Sequence, residues 1–182
     1  MSGRKSERDK KGRNVVASCV AICIVAAIIG SSIIAGSAAE QTSDTVTATV
    51  NAPEIVKAGE TFNASIDVDT ITDFSAGLLE LSFDASVVNV TNVANGSLGG
   101  ETIVVDVWEF LDDDTILISV ISGASGTTGV SGIGNLTTIS FEVVGKSGDR
   151  SVLNMSDDGI LVNPEGERMP TVWVDDEVVV EE

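Results

Sequence analysis

Leu78-Leu79-Glu80-Leu81-Ser82-Phe83-Asp84-Ala85-Ser86-Val87-Val88-Asn89-Val90 first alternates and then turns. Successive side chains of an extended chain point to opposite sides, so Leu79, Leu81 and Phe83 share one face and Leu78, Glu80 and Ser82 the other. The same period of two runs through Val46–Val50 and Thr61–Val68. Further short runs rich in β-branched residues are Thr102–Phe110, Thr115–Ile121, Leu136–Val144, Val152–Met155, Gly159–Val162 and Val172–Val180. Turn residues separate them: Ala58-Gly59-Glu60, Asn95-Gly96, Asp112-Asp113-Asp114, Gly145–Asp149 and Asp158-Gly159. No long amphipathic helical pattern interrupts this order. About nine short strands with frequent turns predict an all-β, antiparallel sandwich. Gly123–Gly134, with five glycines, reads as a flexible connection; no Gly-Lys-Ser/Thr follows it to make a phosphate loop.

Charge divides the 182-residue chain unevenly. Residues 1–14 hold six Lys/Arg and two acids, and the remaining 168 residues hold 4 basic and 26 acidic side chains. A body with a net charge of −22 repels phosphate backbones, which excludes nucleic-acid binding. The chain has no His, which excludes Ser-His and Cys-His catalysis and His-ligated zinc. An acidic shell also suits a salt-rich medium, where screening weakens self-repulsion.

Val15–Ala39 is 25 residues without a charge and follows the basic cluster. As a helix it would span roughly 37 Å, enough for a bilayer core of about 30 Å. Basic flanks stay cytoplasmic, so the acidic body is expected outside the cell. Two readings stand: a cleaved secretion signal ending in Ser37-Ala38-Ala39, or a retained single-pass anchor. The expected organisation is therefore 1–14 basic tail, 15–39 signal or anchor, 40–44 linker and 45–182 sandwich domain. Cys19 and Cys23 both lie in the apolar segment, so no disulfide can staple the body, which must be held by its core.

The order of motifs resembles that of the cohesin family. Ala58-Gly59-Glu60-Thr61 matches a cohesin strand start, Leu81–Val90 its strand-and-turn signature, Asn95-Gly96-Ser97-Leu98 its closing turn, and Gly134–Val143 a later strand. The likeness spans about Val46 to Val180. It implies a nine-stranded jelly-roll sandwich, without catalytic function, that docks a dockerin-type module through one flat sheet face. Phe83 takes the family's aromatic position between the sheets, and Asp84 turns the chain by accepting nearby backbone N–H groups. The sequence departs from the family at Ala76 and Leu78, where dockerin-binding cohesins often carry Asn and Asp. The partner-binding face expected from the resemblance comprises Leu78, Glu80 and Ser82 with Thr138, Ser140 and Glu142; the bland alternative is an ordinary solvated face.

Five Asn-x-Ser/Thr sequons, at Asn63, Asn89, Asn95, Asn135 and Asn154, point to a glycosylated exported surface or to a composition rich in Ser and Thr. Acid pairs such as Asp67-x-Asp69, Asp157-Asp158 and Asp175-Asp176-Glu177 lack the spacing of a calcium loop and read as charged turns and edges. No cofactor or metal is expected. Trp108 shares parity with Asp106, which would expose it as a sugar platform, and Trp173 is the other Trp of the body. The sequence thus favours an exported binding module that holds a protein partner in trans. The rivals are a glycosylated structural or adhesive surface protein and a carbohydrate-binding module linked to polysaccharide breakdown.

Overall fold

The computed structural model describes residues 45–123 and 128–182. The basic tail 1–14, the apolar segment 15–39 with its proposed helix, and the linker 40–44 lie outside the described residues. Among the described residues there are twelve strands and no helix. They are β1 (Val46–Asn51), β2 (Ile55–Lys57), β3 (Thr61–Phe74), β4 (Ala76–Ser82), β5 (Val88–Leu98) and β6 (Glu101–Asp112), followed by β7 (Thr115–Ser122), β8 (Val130–Val143), β9 (Arg150–Met155), β10 (Ile160–Val162), β11 (Thr171–Val174) and β12 (Asp176–Glu181).

Hydrogen bonding runs in the order β11-β1-β3-β8-β5-β6-β7-β4-β9-β12-β2, with β10 added to β4. The path folds over at β6. Glu101–Ile103 pair with β5, and from Ile103 onward the strand pairs with β7. The result is a sandwich. One layer is β11-β1-β3-β8-β5, and the other is β6-β7-β4-β9-β12-β2 with β10. Two pairings are parallel, β1 with β11 and β12 with β2; the remainder are antiparallel.

Period-two sequences drive this arrangement. Val46, Ala48 and Val50 of β1, Ala64, Ile66 and Val68 of β3, and Ile139, Phe141 and Val143 of β8 turn inward from the first layer. Leu79 and Leu81 of β4 and Ile116, Ile118 and Val120 of β7 turn inward from the second, and all join one buried cluster. Phe141 anchors it. Its ring stacks on Phe62 at 5.1 Å and meets Phe83 edge-on at 5.8 Å, so it joins the end of β4 to β8. Asp84 turns the chain as expected: its carboxylate accepts the Ser86 amide at 2.9 Å and hydroxyl at 2.6 Å. Those two bonds, the hydroxyl first, hold its carboxyl below the ordinary Asp value.

Four expectations are corrected. The strands number twelve, not nine, among the described residues. The Val172–Val180 run is two strands: Asp175 breaks it by accepting the Met155 amide at 2.9 Å, and the chain passes from the β1 edge to the β9 edge. Asn95-Gly96 lies inside β5, and the turn comes at Gly99-Gly100, both with positive φ. The glycine-rich stretch is partly strand, since Val130–Gly134 belongs to β8. There the glycines serve close approach. A Cβ on Gly134 would lie 2.1 Å from the Ser97 carbonyl oxygen, and the residue's φ of 153° disfavours any other side chain.

Candidate docking face

The register sets out the outer surface of the second layer row by row. The first row is Val104 of β6, Ile121 of β7, Ala76 of β4 and Val162 of β10. The second is Val107, Ser119, Leu78 and Ile160 in the same strand order. The third is Glu109, Leu117 and Glu80, and the fourth Asp112, Thr115, Ser82 and Asn154, the last on β9. Two rows are therefore aliphatic but for one serine, and the next two become acidic and polar. Leu78 is 40% exposed, Ile121 39% and Val107 54%. Contiguous aliphatic side chains on a surface mark a place where something else docks more often than scattered ones do.

The acidic end is fixed by its own turn. The Thr115 hydroxyl, first among the causes, holds the Asp112 carboxyl below the ordinary Asp value, so it stays ionised into mild acid. Asp113 and Asp114 extend the charge beyond β6. Of the basic residues of the body, Lys57, Lys146 and Arg150 lie outside these rows, and Arg168 continues the first row through its bridge to Val162.

The first layer presents a different surface. Thr49 and Asn51 of β1, Asn63, Ser65 and Asp67 of β3, and Asn135, Thr138, Ser140 and Glu142 of β8 point outward. They bond to one another. The Ser140 hydroxyl donates to Asn63 Oδ1 at 2.9 Å, Asn51 Nδ2 to Asp67 Oδ2 at 3.0 Å, and Asn135 Nδ2 to Thr138 Oγ1 at 3.0 Å.

The six residues expected to form one face are thus divided. Leu78, Glu80 and Ser82 project from β4 in one layer, and Thr138, Ser140 and Glu142 project from β8 in the other. Period two assigns each triplet to an outer side, but it carries no information on which strands share a layer. Sequence reasoning also passed over Val104, Val107, Ile121, Ile160 and Val162. A signal existed in β7, where Leu117 and Ile121 are apolar on the parity opposite to Ile116, Ile118 and Val120. A strand apolar on both faces has something to cover on both.

Trp108 is likewise corrected. A bulge between Val105 and Val107 resets the alternation, so Trp108 pairs with buried Ile118 and packs against the core beside Phe110, rings 5.8 Å apart. Trp173 also packs on the core, and a Cβ on Gly159 would lie 2.6 Å from its ring. Neither Trp offers an open platform. Among the described residues no three acidic or cysteine side chains converge as a metal site.

The sequons scatter unequally. Asn63 on β3, Asn89 and Asn95 on β5, and Asn154 on β9 are exposed, and Asn135 on β8 is half-buried.

No family model matches the sequence, and no curated protein sequence matches it. Solved structures do. A non-cellulosomal cohesin from Archaeoglobus fulgidus superposes with a TM-score of 0.61 at 16% identity, covering 76% of this chain and 92% of that one. The cohesin module of a Clostridium perfringens family 33 glycoside hydrolase gives 0.63 at 14% identity, covering 76% and 98%. A type I cohesin–dockerin complex from Clostridium thermocellum gives 0.62 at 14% identity, covering 78% and 97%. The described body therefore has the cohesin fold.

Proposed function

We propose that this chain is an exported, non-catalytic, cohesin-like module that holds a protein partner in trans through the outer face of β6-β7-β4-β10. The observation that carries the reading is the pair of aliphatic rows centred on Leu78 and Ile121, set in a fold whose solved examples include complexes with dockerins. The occupant is a dockerin-type helical module. With strands about 4.8 Å apart and residues about 3.3 Å apart, the panel measures roughly 14 by 20 Å between backbone axes, a fit for two short helices. Ala76 and Leu78 replace polar contacts with apolar ones, so the partner's central residues are aliphatic. The neighbouring Glu80, Glu109 and Asp112 call for a Lys- or Arg-rich rim on the partner, which steers encounter more than it adds affinity.

Export follows in this reading from the basic residues 1–14 and the apolar 15–39, which deliver the body across a membrane or keep it there. The test is capture of dockerin-type modules on the immobilised full chain. Binding that survives in the Leu78→Asp/Ile121→Asp variant, or that is lost on Ser65→Asp in the other layer, overturns the assignment of the face.

A further inference from the structure

The five sequons are chemically unequal once folded, and the inequality selects among them. Asparagine glycosylation consumes one hydrogen of Nδ2 and leaves Oδ1 as an acceptor. It also requires the Ser or Thr two residues on, which a strand places on the same side as the asparagine when alternation is regular.

Asn95 Oδ1 accepts the Val105 amide at 2.9 Å, a bond that a sugar on Nδ2 leaves intact, and Ser97 beyond it is exposed. Asn63 uses Oδ1 toward Ser140, and Ser65 lies on the same outer side. Asn89 and Thr91 are both exposed on β5, and the Thr91 hydroxyl, which donates to the Ser140 carbonyl at 3.1 Å, stays open to solvent. Asn135 is the opposite case. Its Oδ1 accepts the Ser97 amide at 3.1 Å, which fixes the amide's orientation, and both Nδ2 hydrogens are used, toward Thr138 Oγ1 at 3.0 Å and the Thr137 carbonyl at 3.4 Å. The hydroxyl of its sequon belongs to Thr137, which is 0% exposed and donates to the Ala94 carbonyl at 2.8 Å. Asn154 is exposed and intermediate: one Nδ2 hydrogen goes to the Asp175 carboxylate at 2.7 Å, beside the break between β11 and β12, and the second stays available.

We infer that Asn63, Asn89 and Asn95 are N-glycosylated and that Asn135 is not, so that sugar on Asn63 and Asn89 covers the outer β3-β8-β5 surface and sugar on Asn95 stands where β5 passes to β6. The donor is an oligosaccharide carried on a polyisoprenyl phosphate. A bond forms from Nδ2 to the sugar's C1, the C1–oxygen bond to phosphate breaks with its electron pair leaving on the lipid phosphate, and the amide loses one proton. Asn63 and Asn89 stand on strands separated by β8, about 10 Å apart across the sheet, so two glycans tile the polar surface. Hydroxyl and amide rows already bonded to one another lose little by being covered.

The inference rests on the export reading above, and the experiment separates the two. The full chain is purified from the cells that make it, and glycopeptides are mapped by mass spectrometry, alongside protease treatment of intact cells. The expected result is sugar at Asn63, Asn89 and Asn95 and none at Asn135, with N63Q, N89Q and N95Q each removing one glycan's mass and N135Q removing none. A body cleaved by external protease but bare at any of the three, or carrying sugar at Asn135, overturns this inference and leaves export standing. A body protected from protease and bare throughout overturns both.

Discussion

The two outer faces of this sandwich are built from the same repeat and end in opposite chemistry. On β1-β3-β8 the outward positions are Thr, Ser, Asn, Asp and Glu, with exposed Ile133 the exception, and polar side chains bond laterally from β1 to β3 and from β3 to β8. On β6-β7-β4-β10 the outward positions begin as Val, Ile, Ala and Leu and give way to Glu and Asp. The inward positions hardly differ, since both layers contribute Ile, Val and Leu to one cluster. A face whose polar groups already satisfy one another gains little from a partner, whereas exposed aliphatic rows gain roughly 25 cal/mol for each Å² removed from water. The difference between layers thus lies in the side chains that the core does not need.

The strongest way to break the comparison is to remove what both faces share. Phe141→Ala takes away the ring that touches both Phe62 and Phe83, at a cost of about 3–5 kcal/mol. Thermal unfolding should fall on the order of 10 °C, and both faces should be lost in one transition. An unchanged melting temperature would contradict the shared core.

Next in size is the asymmetry itself. Leu78→Asp with Ile121→Asp should weaken a dockerin-type partner at least about 100-fold, roughly 2.7 kcal/mol, without lowering the melting temperature much. Thr138→Asp and Ser65→Asp should change affinity less than about twofold. Titration calorimetry on the paired variant and the two single-site variants compares the faces directly, and equal losses on both would erase the distinction.

A smaller effect isolates one layer. Gly134→Ala sets a methyl group against the Ser97 carbonyl at the β5–β8 seam, with an expected cost of about 1–3 kcal/mol. Chemical denaturation should register it, while partner affinity on the other layer holds.

The smallest effect is acid sensitivity. Asp69, held low chiefly by the Thr70 amide and then the Thr47 amide, belongs to the first layer; Asp112 belongs to the second, and Asp84 to the turn from β4 to β5 that joins them. Each carboxyl is depressed in the folded chain, so its contribution is present above the unfolded value of about 3.9 and is lost as pH falls through the folded one. The melting temperature should decline below about pH 4. Asp84→Asn should lower it at pH 6 and leave it unchanged near pH 2; a variant equally unstable at both would show that the charge is not what matters.

Much of this was legible in residues alone. The alternation of Leu79, Leu81 and Phe83 identified the inner side of β4, and Asp84 was correctly read as a turn. Other features were hidden for physical reasons. The three-residue β2 is too short to show a period. Asn95-Gly96 has the composition of a turn, but Gly96 stays in the strand, where a Cβ would lie 2.3 Å from the Asn135 carbonyl oxygen. Asp175 breaks the Val172–Val180 run because its carboxylate is claimed by β9, a partner distant in sequence. Trp108 was misassigned because a bulge shifts parity without leaving a mark in composition.

By itself, the sequence determined that the body is all-β, which side of each regular strand faces inward, and that the core does without disulfides, since period-two patterning and residue inventory are local properties. Only the tertiary structure decided which outward residues become neighbours. Layer membership depends on which strands pair across the fold at β6, and so Leu78 joins Ile121 and Val107 instead of Ser140. It also decided which sequon amides remain free, because the Ser97 amide of β5 orients the Asn135 side chain so that its Nδ2 meets Thr137 and Thr138.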